Sequence, residues 1–171
     1  MKKLILFVAF LGLVSCSSDD NGGSSADASE IVGIWKPTAL AYSGTSVYTA
    51  GGESFTTNFS AVALDFHDCI INFNQNGTLT SVGEGYTVEL TMEMMGQEMT
   101  QEMFVGSFFQ SGTWEINGNT LILTNTEMEE PVEYQIIESN STTLKLQLNN
   151  FHTPMDGGHA TLNGNMTLTR M

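Results

Sequence analysis

The stretch TMEMMGQEMTQEM, residues 91–103, carries five of the chain's ten methionines, and its period decides the fold. With a helical period, Met92, Met95, Met99 and Met103 recur on one face, and Met, Glu and Gln favour helices. With a period of two, Gly96-Gln97 supplies a two-residue turn with glycine first. Met94 then pairs with Met99, Met92 with Gln101, Leu90 with Met103 and Val88 with Val105. That face is almost wholly apolar. The other face pairs Glu93 with Thr100, Thr91 with Glu102 and Glu89 with Phe104, and is largely polar. A helix would carry Gly96 in its middle, at a cost of about 1 kcal/mol. The preceding run YTVELT (86–91) is rich in β-branched residues. The reading is a long hairpin with one buried face.

The rest of the chain agrees. Asn76-Gly77, Asn117-Gly118 and Asn163-Gly164 are tight-turn signals, because Asn-Gly tolerates positive φ at both central positions. FNQNGTL (73–79) and WEINGNTLIL (114–123) are expected hairpins. Residues 132–137, 143–148 and 160–169 read as further strands. Apart from the methionine stretch, no segment keeps a sustained helical period.

The N-terminus points to a compartment. Met1-Lys2-Lys3 precedes an apolar run over residues 4–14. The run is far shorter than the roughly 20 residues a membrane-spanning helix needs, but it suits a secretory signal. It ends Leu13-Val14-Ser15-Cys16, which resembles the box at which bacterial lipoproteins are cleaved and acylated on cysteine. Residues 1–15 are expected to be a lipoprotein signal peptide. Residues 16–29, rich in Ser, Gly and Asp, are expected to be a disordered tether. Acyl chains on Cys16 would hold the protein to a membrane where one chain alone would not. Ser17 after the cysteine resembles lipoproteins sent to the outer membrane, and Asp19-Asp20 resembles tethers of lipoproteins displayed at the cell surface.

Removing residues 1–15 takes Lys2 and Lys3 away and moves the net charge from −14 to −16. Such a chain repels nucleic acid and anionic head groups, so the anchor and not a basic patch is the expected membrane contact. Residues 30–171 are enough for one domain with a sizeable core. Cys69 is the one other cysteine. With Cys16 acylated it has no partner for an internal disulfide, and a buried, hydrophobe-like role is expected.

The segment EIVGIWK (30–36) resembles the opening of lipocalin-like domains, where a short helical turn precedes Gly-x-Trp and the Trp plugs the base of the barrel. Together with residues 86–97, GTWEINGNTL (112–121) and TTLKL (142–146), the chain resembles lipocalin-family outer-membrane lipoproteins of flavobacteria, over residues 30–171. The resemblance implies an all-β fold, an antiparallel up-and-down lipocalin-like barrel of about 8–10 strands of the kind that fills its interior or keeps a cavity for one small ligand. It also implies that Trp35 is buried at the barrel base and that Arg170, near the end of the last strand, packs across it. Two features depart from the family pattern: the Thr-Asp-Tyr turn of true lipocalins is missing, and no second cysteine faces Cys69.

No nucleophile elbow, zinc-binding helix, P-loop or dinucleotide fingerprint occurs, so no catalytic residue, metal or cofactor is expected. FHTPMDGGH (151–159) places His152, Met155 and His159 together, and His67 stands apart. Thioether and imidazole suit Cu(I), but the spacing is not diagnostic. Two readings remain. In one, a monomeric, lipid-anchored barrel binds a small hydrophobic ligand through Val88, Leu90, Met92, Met94, Met99 and Met103, whose thioethers adapt to varied apolar shapes. In the other, a filled barrel serves as a non-catalytic structural or interaction protein of the envelope.

Overall fold

Alternation of apolar and polar side chains runs through most of the chain and becomes eleven antiparallel strands. The computed structural model describes residues 26–171 except 95, 107–108, 126–129 and 156, and leaves out the side chain of Met94. The proposed signal peptide, Cys16 and residues 16–25 of the tether lie outside the described residues. Residues 26–29, assigned to the tether from composition, belong to the fold. Ala26 N–H donates to the Gly118 carbonyl at 3.1 Å. Asp27 caps helix α1 (Ala28–Ile31) by accepting from Ser29 N–H at 2.8 Å, a bond that also lowers the pKa of its carboxyl. Among the described residues no helix is long and apolar enough to cross a membrane.

The strands are β1 (Gly33–Ala50), β2 (Glu53–Asp65), β3 (Ile70–Phe73), β4 (Thr78–Val82), β5 (Tyr86–Met94) and β6 (Gln97–Val105), then β7 (Gly112–Asn117), β8 (Thr120–Thr124), β9 (Val132–Ser139), β10 (Thr143–Met155) and β11 (Gly158–Arg170). β2 and β3 follow one another down the same edge of β1. β5 pairs with β2 as β4 pairs with β3, and β6 pairs with β5 as β7 pairs with β4. The molecule is therefore an eight-stranded antiparallel barrel in which three long strands are broken midway. It closes where β11 pairs with β1, Trp35 opposite Arg170.

The breaks are built from close backbone approach. A Cβ on Gly83 would meet Cys69 Cα at 2.7 Å, and one on Gly85 would meet the Val105 carbonyl oxygen at 2.1 Å. Both have positive φ, 121° and 124°, which glycine adopts without strain. Cys69 Sγ–H donates to the Gly85 carbonyl at 3.0 Å, so the break after β2 is tied to the break before β5. Cys69 is buried as expected, and burial raises its pKa.

Below the breaks the barrel is filled. Ile31, Trp35, Ile71, Phe73, Leu121, Leu144 and Leu168 are all fully buried in one cluster, with Trp114 edge-on to Phe73 at 5.5 Å. Each such side chain contributes roughly 1.5–3 kcal/mol. A second cluster, Ala61, Tyr86 and Val88, starts the upper half and shares Leu40 with the first. Every residue of both clusters lies between 26 and 168, so the described residues hold their own core and barrel closure, which is what an independent domain requires.

Two sequence expectations need correction. In the methionine hairpin Met94 lies opposite Gln97, Met92 opposite Met99 and Val88 opposite Met103, so Gln97 already belongs to β6 and not to the turn. Gly96 takes a positive φ of 75°, which a turn with glycine at either central position accommodates, and it is the Met94–Gln97 pairing that places the turn one residue earlier than Gly96-Gln97. The change is even in register, so the two faces keep their members. Asn163-Gly164 is not a turn. Gly164 sits mid-strand opposite Tyr42, and Asn163 Oδ1 accepts from Asn150 N–H at 2.9 Å. Asn76-Gly77 and Asn117-Gly118 do mark hairpins, with Gly77 and Gly118 at positive φ.

Candidate functional site

Among the described residues, the upper half of the barrel differs from the base because β8 and β9 are shorter than β10 and β11. β9 pairs with β10 only from Ser139–Leu144 to Gln135–Gln147, and β8 is five residues long. Above them β10, β11, β1, β2, β5 and β6 continue as an open wall. Residues directly opposite in antiparallel strands share a face, so the inner surface can be followed across it. One row runs Phe151, Leu162, Gly44, Phe59, Met92 and Met99. The next row down runs Leu148, Gly164, Tyr42, Ala61, Leu90 and Gln101. Gly44 leaves room for the Phe59 ring, whose Cζ would lie 3.0 Å from a Cβ there. Tyr42 meets Phe59 edge-on at 6.5 Å.

The expected ligand-face residues are brought to one face of one hairpin, but in unequal settings. Val88 is fully buried against Tyr86 and Ala61, and Leu90 packs on them half-buried. Met92 is half-buried, while Met103 and Met99, on the edge strand β6, are 38% and 58% exposed. The side chain of Met94 lies outside the described residues. These residues line the open upper wall, and the closed part of the barrel is occupied by Trp35 and its neighbours.

Beside the wall lies a cleft of about 720 Å³. Its cause is local. β10 bulges between Leu148 and Phe151, with Asn150 at φ 49°, and leaves β9 behind. Leu148, Phe151 and Thr153 face it from the inner side of β10, His152 and Asn149 from the outer side, and Glu130, Pro131 and Glu133 form the opposite lip. Sequence reasoning missed this cleft, together with Tyr42 and Phe59. Over residues 37–65 the inward positions include Gly44, Ser46 and Thr57, which dilute the apolar alternation that would have marked the strands.

The polar side chains of this interior are mainly phenols. Tyr86 is pushed up to about 12 by burial first, and then by Tyr42 and Cys69. Burial raises Tyr42 and Tyr134 as well. All three are therefore neutral hydrogen-bonding groups at ordinary pH. Tyr134 stands edge-on to Phe109 at 5.8 Å, and Tyr86 stacks on Phe66 at 6.2 Å.

At the opposite end Trp35 has no solvent exposure, and its Nε1–H donates to the Ile31 carbonyl at 2.7 Å. The Arg170 guanidinium lies 4.3 Å from the Trp35 ring centroid, a contact worth about 0.5–2 kcal/mol. It also donates to the carbonyls of Val32, at 2.7 Å, and Glu30. A Cβ on Gly33 would meet Arg170 Nη1 at 2.2 Å, which is why glycine precedes the tryptophan by two. This end serves stability.

The histidines do not converge. His67 bonds the Thr87 hydroxyl at 2.8 Å and lies 3.4 Å from Asp65. His152 bonds the Thr161 hydroxyl at 2.9 Å, and His159 is exposed. Among the described residues no group of three or more His, Cys, Asp or Glu is placed to hold a metal ion.

A family model described as a lipocalin-like domain matches residues 31–146. No curated protein and no solved structure matches the chain.

Proposed function

The chain belongs to the lipocalin-like domain family, and on that premise we propose that it is a non-catalytic binding protein for a small hydrophobic molecule, held at the outer membrane by acyl chains on Cys16. The observation that carries this reading is the contrast in filling. The base is packed, while the upper wall leaves Met92, Phe59 and Phe151 half-buried and Met99 exposed beside a cleft whose volume falls in the usual range for small-molecule sites, about 300–1,000 Å³. Methionines on this wall keep it deformable where Leu or Ile would fix its shape. The membrane anchor, monomeric state and surface display belong to the same proposal. They are supported by the box at Leu13–Cys16, by the acidic tether and by a net charge that offers lipid no basic patch.

The test uses residues 26–171 and an uncharged dye that fluoresces in apolar surroundings. Dye uptake that Met92→Ala weakens several-fold, with little change in urea midpoint, is the expected result. No uptake by the parent, with a strongly destabilised Met92→Ala, would leave the hairpin as plain core. For the anchor, Cys16→Ala should abolish palmitate labelling and move the protein to the aqueous phase on detergent partition. Labelling that persists in the variant would refute it. A second reading, an interaction protein of the envelope, is favoured by Val62, Leu64 and Phe104, which are apolar and more than half exposed on the outer face of β2 and β6.

A further inference from the structure

The wall and cleft carry no lysine or arginine side chain, and this bears on what they can hold. Beyond residue 25 the chain has three basic side chains besides histidine, Lys36, Lys145 and Arg170. Lys36 is exposed on the outer face of β1, next to the inward Trp35. Lys145 is exposed and ion-paired with Glu138 at 2.6 Å. Arg170 is committed to Trp35 and two carbonyls at the base. His152 lines the cleft from the outer side of β10, bonded to the Thr161 hydroxyl, and His159 projects from the outer side of β11, since their neighbours Phe151, Thr153 and Ala160 take the inner side. His67 sits at the break between β2 and β3, bonded to the outward Thr87. The charges that do border the cleft are carboxylates, Glu130 and Glu133. Inward polar groups of the wall are neutral: Tyr42, Tyr86, Thr57 and Gln101.

We infer that the upper wall and cleft select uncharged apolar molecules, with a hydroxyl or carbonyl as their polar feature, and reject amphiphiles that carry a carboxylate or phosphate head. This rests on the binding reading above and narrows its ligand class. A carboxylate drawn into the wall loses hydration and finds no cation to replace it, so its burial is costly. Turning the molecule round does not help, because the cleft lip and the tip of the methionine hairpin present Glu130, Glu133, Glu93 and Glu98. A neutral hydroxyl or carbonyl can instead exchange hydrogen bonds with phenols and a threonine hydroxyl, which both donate and accept.

The test is displacement of the uncharged dye from residues 26–171 by decan-1-ol and by decanoate, at about pH 8 so that the acid is ionised. Salt at roughly 0.3 M shortens the screening length to a few ångströms and removes long-range repulsion from the acidic surface. Decanol should displace the dye and decanoate should be at least about tenfold weaker. Met99→Lys, which puts a cation on the wall, should narrow the ratio of decanol to decanoate affinity several-fold relative to a neutral Met99→Gln control, whatever either change does to decanol itself. Equal competition by decanol and decanoate would overturn the inference while leaving the binding reading intact. Exclusion of decanoate that Met99→Lys does not relieve would overturn charge as its cause. Absence of dye uptake altogether would overturn the binding reading and the inference with it.

Discussion

The base of the barrel and its upper wall are built from the same alternating pattern, yet one is a packed core and the other an open surface. At the base, β1, β3, β4, β7, β8, β9, β10 and β11 form a full circle, and each inward side chain meets others from across the barrel. Above the breaks, β8 and β9 extend no further among the described residues, so the inward face of β5 and β6 meets few described partners. Amphipathic strands thus specify which side turns inward. Whether that side becomes core depends on how many strands reach the same height.

The sharpest test of this division is Trp35→Ala. The residue is fully buried and hydrogen-bonded to Ile31, and its truncation should cost about 3–5 kcal/mol in urea unfolding, a large share of a typical domain's stability. A loss near that of a surface substitution would mean that the base is not the stabilising half.

Gly85→Ala comes next. A Cβ there would overlap the Val105 carbonyl and would have to adopt φ near 124°. Strain of this kind costs about 1–3 kcal/mol, and the variant should unfold at correspondingly lower urea. Unchanged stability would show that the break between β4 and β5 relaxes freely, and would blur the boundary between the halves.

Alkaline pH probes the level where the halves meet. Burial holds Tyr86 at about 12, above the ordinary tyrosine value of 10.0. Between those values the unfolded chain releases the proton that the folded one keeps. Stability is therefore unaffected below pH 10 and falls as pH rises toward 12. Relative to the parent, Tyr86→Phe should lose about 2 kcal/mol less over that interval, measured by urea titration at each pH. Parallel curves would place the Tyr86 hydroxyl in water.

The smallest effect is expected at Met99→Ala, on the exposed edge strand. It should change stability by less than about 0.5 kcal/mol, whereas Met166→Ala, buried in the base at 8% exposure, should cost about 2–5 kcal/mol. Equal losses at the two methionines would erase the distinction between wall and core.

Much of this was legible in the sequence. Period-two alternation over residues 86–105 separates the two faces of the hairpin whatever its register, because the register found differs from the expected one by an even step. Gly33, Trp35 and Arg170 announced the plugged base. Asn163-Gly164 misled, because a turn signal is a local preference and the Tyr42 strand on one side and the β10 bulge on the other recruited both residues. Residues 26–29 read as tether from composition yet join the fold, because Ala26 finds its partner at Gly118, far along the chain.

By itself, then, the sequence determined the all-β class, the inward and outward faces, most strand positions and the scarcity of positive charge, since these depend on neighbouring residues and on composition. Tertiary structure alone decided where the breaks fall, that the methionine face lines an open wall, and that a cleft opens where β10 parts from β9. The physical reason is contact between residues distant in sequence. Gly83 is required by Cys69 and Gly85 by Val105, and the wall stays open where β10 runs on beyond Gln147, the last position at which it pairs with β9.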